Sequence, residues 1–330
     1  MTSATPAAAG STSPLSSPMP VSYRRYALGL MVAIYTVNFL DRQIVTILIP
    51  DIKADLKLSD SEVGAMAGLW FAILYTTLGI PIARYADRGD RPWIMTASLA
   101  VWSGFTVLAG FAQNFLMLAI SRAGVGVGEA GCTPTAHSLL TDYFPKESRA
   151  RALAIYSMGI SIGSLLGMAL GGIIAANWGW RTAFFVAGAP GLILAALSAM
   201  TLLEPRRASN LIAAEAAARA ATYIPTRTAL KVLSNKPTFW FFAFGAAFAA
   251  TVSYSHSFFL AGYFTYTQPQ GLADAAAFYG IGGNNAGTSY LGIGLGFAAG
   301  IGGVIGSWLG GWWCDKFGAK LLFDEVQCGT

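Results

Sequence analysis

Apolar residues in this chain gather into eight long runs separated by short polar breaks. The runs fall at about 26–50, 63–83, 93–112, 115–141, 152–176, 182–203, 238–266 and 289–313. Each approaches or exceeds the ~20 residues that an α-helix needs to cross the ~30 Å hydrocarbon core of a bilayer. A β period of two is absent from them, and their length favours helix over strand. The pattern predicts eight membrane-spanning helices and an all-α integral membrane protein. Residues 1–22 are rich in Ala, Ser, Thr and Pro and read as a disordered tail. They lack the basic start and apolar core of a signal peptide.

Composition agrees with that class. Of 330 residues, 55% are hydrophobic and 11% charged, against ~25% charged in soluble domains. Sixteen of the 21 Lys and Arg lie in segments on the side that holds the N-terminus, and three (Lys53, Lys57, Arg181) lie on the other. Such a bias places the N-terminus in the cytoplasm. The +5 net charge therefore belongs to topology, and nucleic acid is not an expected partner. The longest inner connection, 204–236, follows six runs. It divides the chain into a six-helix bundle at 23–203, a cytoplasmic linker at 204–236, and a partial second bundle at 237–330.

Enzyme signatures are missing. No dinucleotide-binding GxGxxG after a strand, no Walker loop and no GxSxG elbow occurs. Two histidines exclude a His-rich metal site, and the three cysteines fit neither a disulfide framework nor zinc spacing. Neither cofactor nor metal is expected, and no catalytic residue.

The last two of the 21 basic residues lie inside apolar runs. Asp41 and Arg42 interrupt the first, and Arg122 and Glu129 stand two helical turns apart in the fourth. A single charge at the bilayer centre costs at least ~2.5–3.5 kcal/mol on insertion scales. The four sum to zero and fall within one band of depth, since helical rise puts Asp41 ~22 Å from the inner end of its run and Arg122 and Glu129 ~28 and ~18 Å from it. A neutral cluster is cheaper to bury than any one member. Two readings stay open: a cross-helix structural ion pair, or a site that exchanges charge. On the second, Asp41 and Glu129 are the proton-coupling candidates, and Arg42 and Arg122 hold an anionic headgroup.

Internal repetition adds to the picture. After the second run comes ARYADRGDR (83–91), and after the eighth comes GWWCDKFGAK (311–320). Each has a small residue, then an Asp–basic pair four and five positions on, then a further basic residue. Repeats of this kind mark secondary-transporter folds. The loop resembles the signature of the major facilitator superfamily, with Ala83 in place of the usual first Gly and one residue fewer before the last basic position. SRAGVGVGE (121–129) is similar to the Arg-plus-glycine motif of the family's fourth helix. Gly159, Gly163, Gly167, Gly171 and Gly172 resemble the glycine stripe of its antiporters, with Met168 where Pro is usual. NWGWRTAFF (177–185) also fits. NFLDR (38–42) together with Gly128 and Glu129 looks most like the Spinster branch, whose members carry lysolipids and sphingolipids. A similar Asp–Arg pair occurs in hexuronate-type carriers.

The resemblance implies a major facilitator fold of two pseudo-symmetric six-helix halves, of which this chain holds about eight helices. The tail LLFDEVQCGT does not begin a ninth run, so the chain is expected to be a piece of that architecture or to end in residues foreign to it. It implies a proton-coupled transporter of an amphipathic lipid, with an organic anion or drug as the alternative cargo. It also implies a monomer in the plasma membrane working by alternating access. Asp87, Arg88 and Arg91, with Asp315 and Lys316 in the second copy, would form a cytoplasmic gate. The glycines would be a helix-packing stripe. A receptor or membrane-embedded enzyme is the reading from a different class.

Overall fold

A computed structural model describes residues 19–205, 226–283 and 285–313. Every regular element among them is a helix. In chain order they are α1 (Val21–Leu56), α2 (Asp60–Gly64), a π-helical turn (Ala65–Leu69), α3 (Trp70–Arg88), α4 (Arg91–Ala109), α5 (Phe115–Glu129), α6 (Cys132–Tyr143), α7 (Lys146–Trp178), α8 (Trp180–Thr201), α9 (Thr226–Ser234), α10 (Pro237–Thr267), α11 (Pro269–Phe278) and α12 (Ala286–Trp313). Seven of the described helical spans are long and apolar enough to cross a membrane. All eight apolar runs lie on helix; the run at 63–83 is shared between α2, the π turn and α3.

Local chemistry sets the boundaries. Ser59 and Glu62 form a reciprocal capping box that starts α2. Asp90 accepts from the Trp93 N–H to start α4, and Asn114 accepts from the Met117 N–H to start α5. Gly179 turns the chain between α7 and α8 at φ +82°, a conformation that L side chains avoid. The fourth run, read as one helix over 115–141, is one apolar span, Phe115–Tyr143, interrupted by a turn at Ala130–Gly131 between α5 and α6. Pro134 has no N–H to donate to the Ala130 carbonyl, and the glycine-rich stretch before it is a weak helix former.

α1 packs chiefly on α7, α4 on α8 and α5, and α12 on α7. The glycine stripe makes the first of these close. A Cβ at Gly163 would stand 2.4 Å from the Thr36 carbonyl oxygen, and one at Gly167 2.6 Å from that of Leu40. Gly159 and Gly171 face the same helix, whereas Gly172 turns to α12 and meets Gly292. Lipid tails give helices no hydrophobic reason to associate, so van der Waals contact of this closeness must hold them together. Two apolar cores result. One joins the first half of α1 with α4 to α7, around Met31, Trp102 and Tyr156. The other joins its second half with α8, around Leu48, Ile52 and Phe184, and takes in Ala175 of α7, Ala261 of α10 and Leu291 of α12. α10 packs on the second half of α1 through one end, and only Ala261 and Gly262 are buried in its 31 residues.

Candidate functional site

α1, α4 and α5 bring all four intramembrane charges together. The pairing is crossed. Arg42 does not bind its neighbour Asp41 but reaches α5, with Nε and Nη2 each 2.6 Å from Glu129 Oε2. Arg122 on α5 in turn reaches α1, its Nη1 3.4 Å from Asp41 Oδ2. The other Asp41 oxygen accepts from the Thr106 hydroxyl on α4 at 2.8 Å. Successive residues on a helix diverge by about 100°, so Asp41 and Arg42 cannot face the same partner. Arg122 and Glu129 lie seven apart and do share a face. Hence α5 offers one cation and one anion to two adjacent positions of α1.

The cluster is largely buried but incompletely bonded. Asp41, Arg122 and Glu129 are 1 to 2% exposed. Among the described residues, Arg122 Nε, Glu129 Oε1 and the neighbouring Trp102 Nε1 are buried with no hydrogen-bond partner. Each such atom forfeits ~1–3 kcal/mol relative to water. Aromatic rings supply part of the compensation. The Arg42 guanidinium lies 5.3, 5.2 and 5.0 Å from the ring centres of Phe39, Phe71 and Tyr75, contacts worth roughly 0.5–2 kcal/mol each. Phe71 and Tyr75 are four apart on α3 and stack at 5.7 Å, which places both rings on one face.

A cavity of about 980 Å³ opens against this cluster. Arg42 and Arg122 line it, as do Gln43 and Thr46 of α1, Gly64 and Gly68 beside the π turn, and Phe71 and Tyr75 of α3. The opposite wall is α10, with Thr251, Tyr254, Ser257 and Phe258. One wall is thus aromatic and cationic, and the other carries hydroxyls. Sequence reasoning missed Gln43, Thr46, Thr106 and Phe71 because none is charged. The available signal was one-turn spacing, of Thr46 from Arg42 on α1 and of Phe71 from Tyr75 on α3; Gln43 and Thr106 carried none.

The residues expected at the cytoplasmic gate fare differently. Asp315 and Lys316 lie outside the described residues, as do the side chains of Asp87 and Arg88. Arg91 is fully buried. Its Nε and Nη2 bond the Glu204 carboxylate at 3.1 and 2.5 Å. Nη1 bonds the Ser138 hydroxyl at 2.8 Å and lies 2.7 Å from Asp142 Oδ2. This ties the start of α4 to α6 and to the segment after α8, inside one bundle. Tyr143 and Tyr23 bond the backbone of Leu203 and Thr201 beside it. Glu204, the first residue of the expected linker, is thus buried and bonded to Arg91.

The profile of the Major Facilitator Superfamily matches residues 31–323. An MFS-type efflux pump of Mycolicibacterium smegmatis is 34% identical over 77% of this chain and 58% of its own. Protein spinster homolog 1 of Xenopus laevis is 29% identical over 71% of this chain and 44% of its own. Among solved structures, a bacterial homologue of the human lysosomal transporter Spinster, inward-facing and occupied, superposes with a TM-score of 0.73. It is 33% identical over 91% of this chain and 63% of that one. The fold and its buried charge cluster define a multi-pass membrane protein, and the chain belongs to the major facilitator superfamily. Within it the chain falls on the Spinster branch. It spans less than two thirds of the length of these relatives.

Proposed function

We propose that this chain forms most of a secondary active transporter that moves an amphipathic anion, a lysophospholipid or sphingolipid, across the plasma membrane by alternating access, driven by protons. The observation that carries this reading is the crossed pairing of Arg42 with Glu129 and Arg122 with Asp41 in the wall of a cavity between α1, α3 and α10. Two ion pairs that share neighbours form a switch. A proton taken up by Glu129 releases Arg42, whose planar fork suits phosphate or carboxylate. A proton taken up by Asp41 releases Arg122 in the same way. Bound anion and bound proton thereby favour each other, the linkage that coupled transport requires. The aromatic wall suits an alkyl chain, and the size of the cavity suits a drug-sized or larger ligand.

In this reading the N-terminus is cytoplasmic, the protein works as a monomer, and residues 204–236 connect the two bundles. Asp87 and Arg88, with Asp315 and Lys316 in the second copy, form a cytoplasmic latch. No cofactor takes part, and the protein is a carrier rather than a receptor or an enzyme. An organic anion is the second reading. It is favoured by the hydroxyls of α10 and by relatives that include a probable L-galactonate transporter of Escherichia coli. Uptake by the full-length protein in proteoliposomes, with and without a pH gradient, separates them. Gradient-dependent movement of a lysolipid but not of a hexuronate is the expected result. The converse selectivity assigns the cavity to small anions, and indifference to the gradient removes the proton from the mechanism.

A further inference from the structure

α9 and the first turn of α10 form a mixed surface that the transport reading does not use. The chain leaves helical geometry at Lys236 (φ −99°, ψ 111°), so α9 is a separate element from α10. The Trp240 indole N–H donates to the Ser234 carbonyl at 2.8 Å and pins the end of α9 to the start of the long helix. α10 is one of the apolar spans, which puts α9 at a bilayer boundary whichever way the chain is inserted. Exposed on this corner are Val232 at 56%, Leu233 at 44%, Trp240 at 44% and Phe241 at 81%. Lys231 and Lys236 are exposed among them. The connection 204–236 as a whole holds six basic residues against two acidic ones, and one of the two, Glu204, is bonded to Arg91.

Apolar side chains flanked by lysines do not suit a buried protein interface, where Lys is depleted. They suit the boundary of a bilayer. There the apolar groups sink to the acyl region, an indole lies at headgroup level, and lysine stems run up to the phosphates. We propose that α9 and the start of α10 bind the surface of an anionic lipid leaflet, with Lys231 and Lys236 on the headgroup phosphates and Val232, Leu233 and Trp240 below them. The inference rests on the membrane placement alone, and is independent of cargo and coupling. Because α10 also carries Tyr254 and Phe258 of the cavity wall, such an anchor holds one end of that wall to the membrane.

The test is amide hydrogen exchange over residues 226–236 of the full-length protein in nanodiscs. Exchange should be about tenfold slower in discs containing phosphatidylglycerol than in pure phosphatidylcholine, since each basic residue adds its own attraction to an anionic surface. The difference should vanish in the doubly substituted Lys231→Glu, Lys236→Glu protein, and shrink at high salt because the charges lie in solvent. Both lysines are exposed, so the variant keeps its fold. Equal exchange in the two lipids overturns the proposal. So does protection by inorganic phosphate alone in phosphatidylcholine discs, or protection that survives the double substitution.

Discussion

Two buried arginine clusters sit in the same bundle, and they are built on opposite terms. Around Arg91 every side-chain nitrogen has an acceptor, drawn from Glu204, Asp142 and Ser138. Around Arg42 and Arg122 the pairs are crossed, one contact is as long as 3.4 Å, and two polar atoms find no partner among the described residues. This second cluster opens on a cavity. A fully bonded buried charge has nothing to gain by moving, whereas an under-bonded one gains from any new partner. Saturation, rather than burial, separates a charge that braces the fold from one that is free to work.

The largest effect that would test this contrast is on stability. Arg91→Ala removes the centre of the closed cluster and leaves Glu204 buried without its main counterion. A loss of about 3–5 kcal/mol is expected, read as a sharp fall in the detergent-solubilised melting temperature. A neutral result would mean that the cluster is solvated in the working protein.

Next come Asp41→Asn and Glu129→Gln, each changing one proton-accepting group of the open cluster. Gradient-driven transport should be lost in both. Melting should fall by only ~1–2 kcal/mol equivalent, because Glu129 Oε1 already lacks a partner and the Asp41 pair is held by a single long contact of 3.4 Å. If both variants melt as early as Arg91→Ala, the two clusters do the same structural work.

Arg42→Lys keeps charge but not the fork, and it loses the stacking over Phe71 and Tyr75. Affinity for an anionic cargo should fall ~10–100-fold, the equivalent of one bidentate charge-assisted contact. Equilibrium binding checks it, and parent-like binding would move the headgroup away from Arg42.

The smallest effect concerns the loop that leads into Arg91. Asp87→Asn should shift the conformational population of the full-length protein by about 1 kcal/mol, the typical worth of a charge at a helix end. Spin-label distances between the C-terminal ends of α3 and α12 should lengthen. Unchanged distributions would leave that loop with topology and the Arg91 brace as its roles.

How much of this could be read from the chain differs by residue. The apolar runs announced helical structure, though not each helix boundary, because the bilayer requires about 20 apolar residues and a backbone bonded within itself, and both demands are local. The four charges announced themselves for the same reason: a charge in an apolar run is conspicuous without knowledge of its neighbours. Gly163 and Gly167 were legible as a packing stripe by spacing alone, though not that α1 is the helix they admit. The break between α5 and α6 was written in Pro134 and the glycines before it, and a pattern of hydropathy passes over it.

Partnership was decided only by the tertiary structure. Nothing local says that Arg42 bonds Glu129 rather than Asp41 beside it, or that Arg91 finds Glu204 113 positions away. Those choices depend on which helix faces turn towards each other and at what height, and close packing along the whole length of α1, α4, α5 and α7 settles both. The same packing left Arg91 saturated and Arg122 not. A sequence can declare that a charge is buried at a cost, but only the assembled helices determine whether that cost has been met.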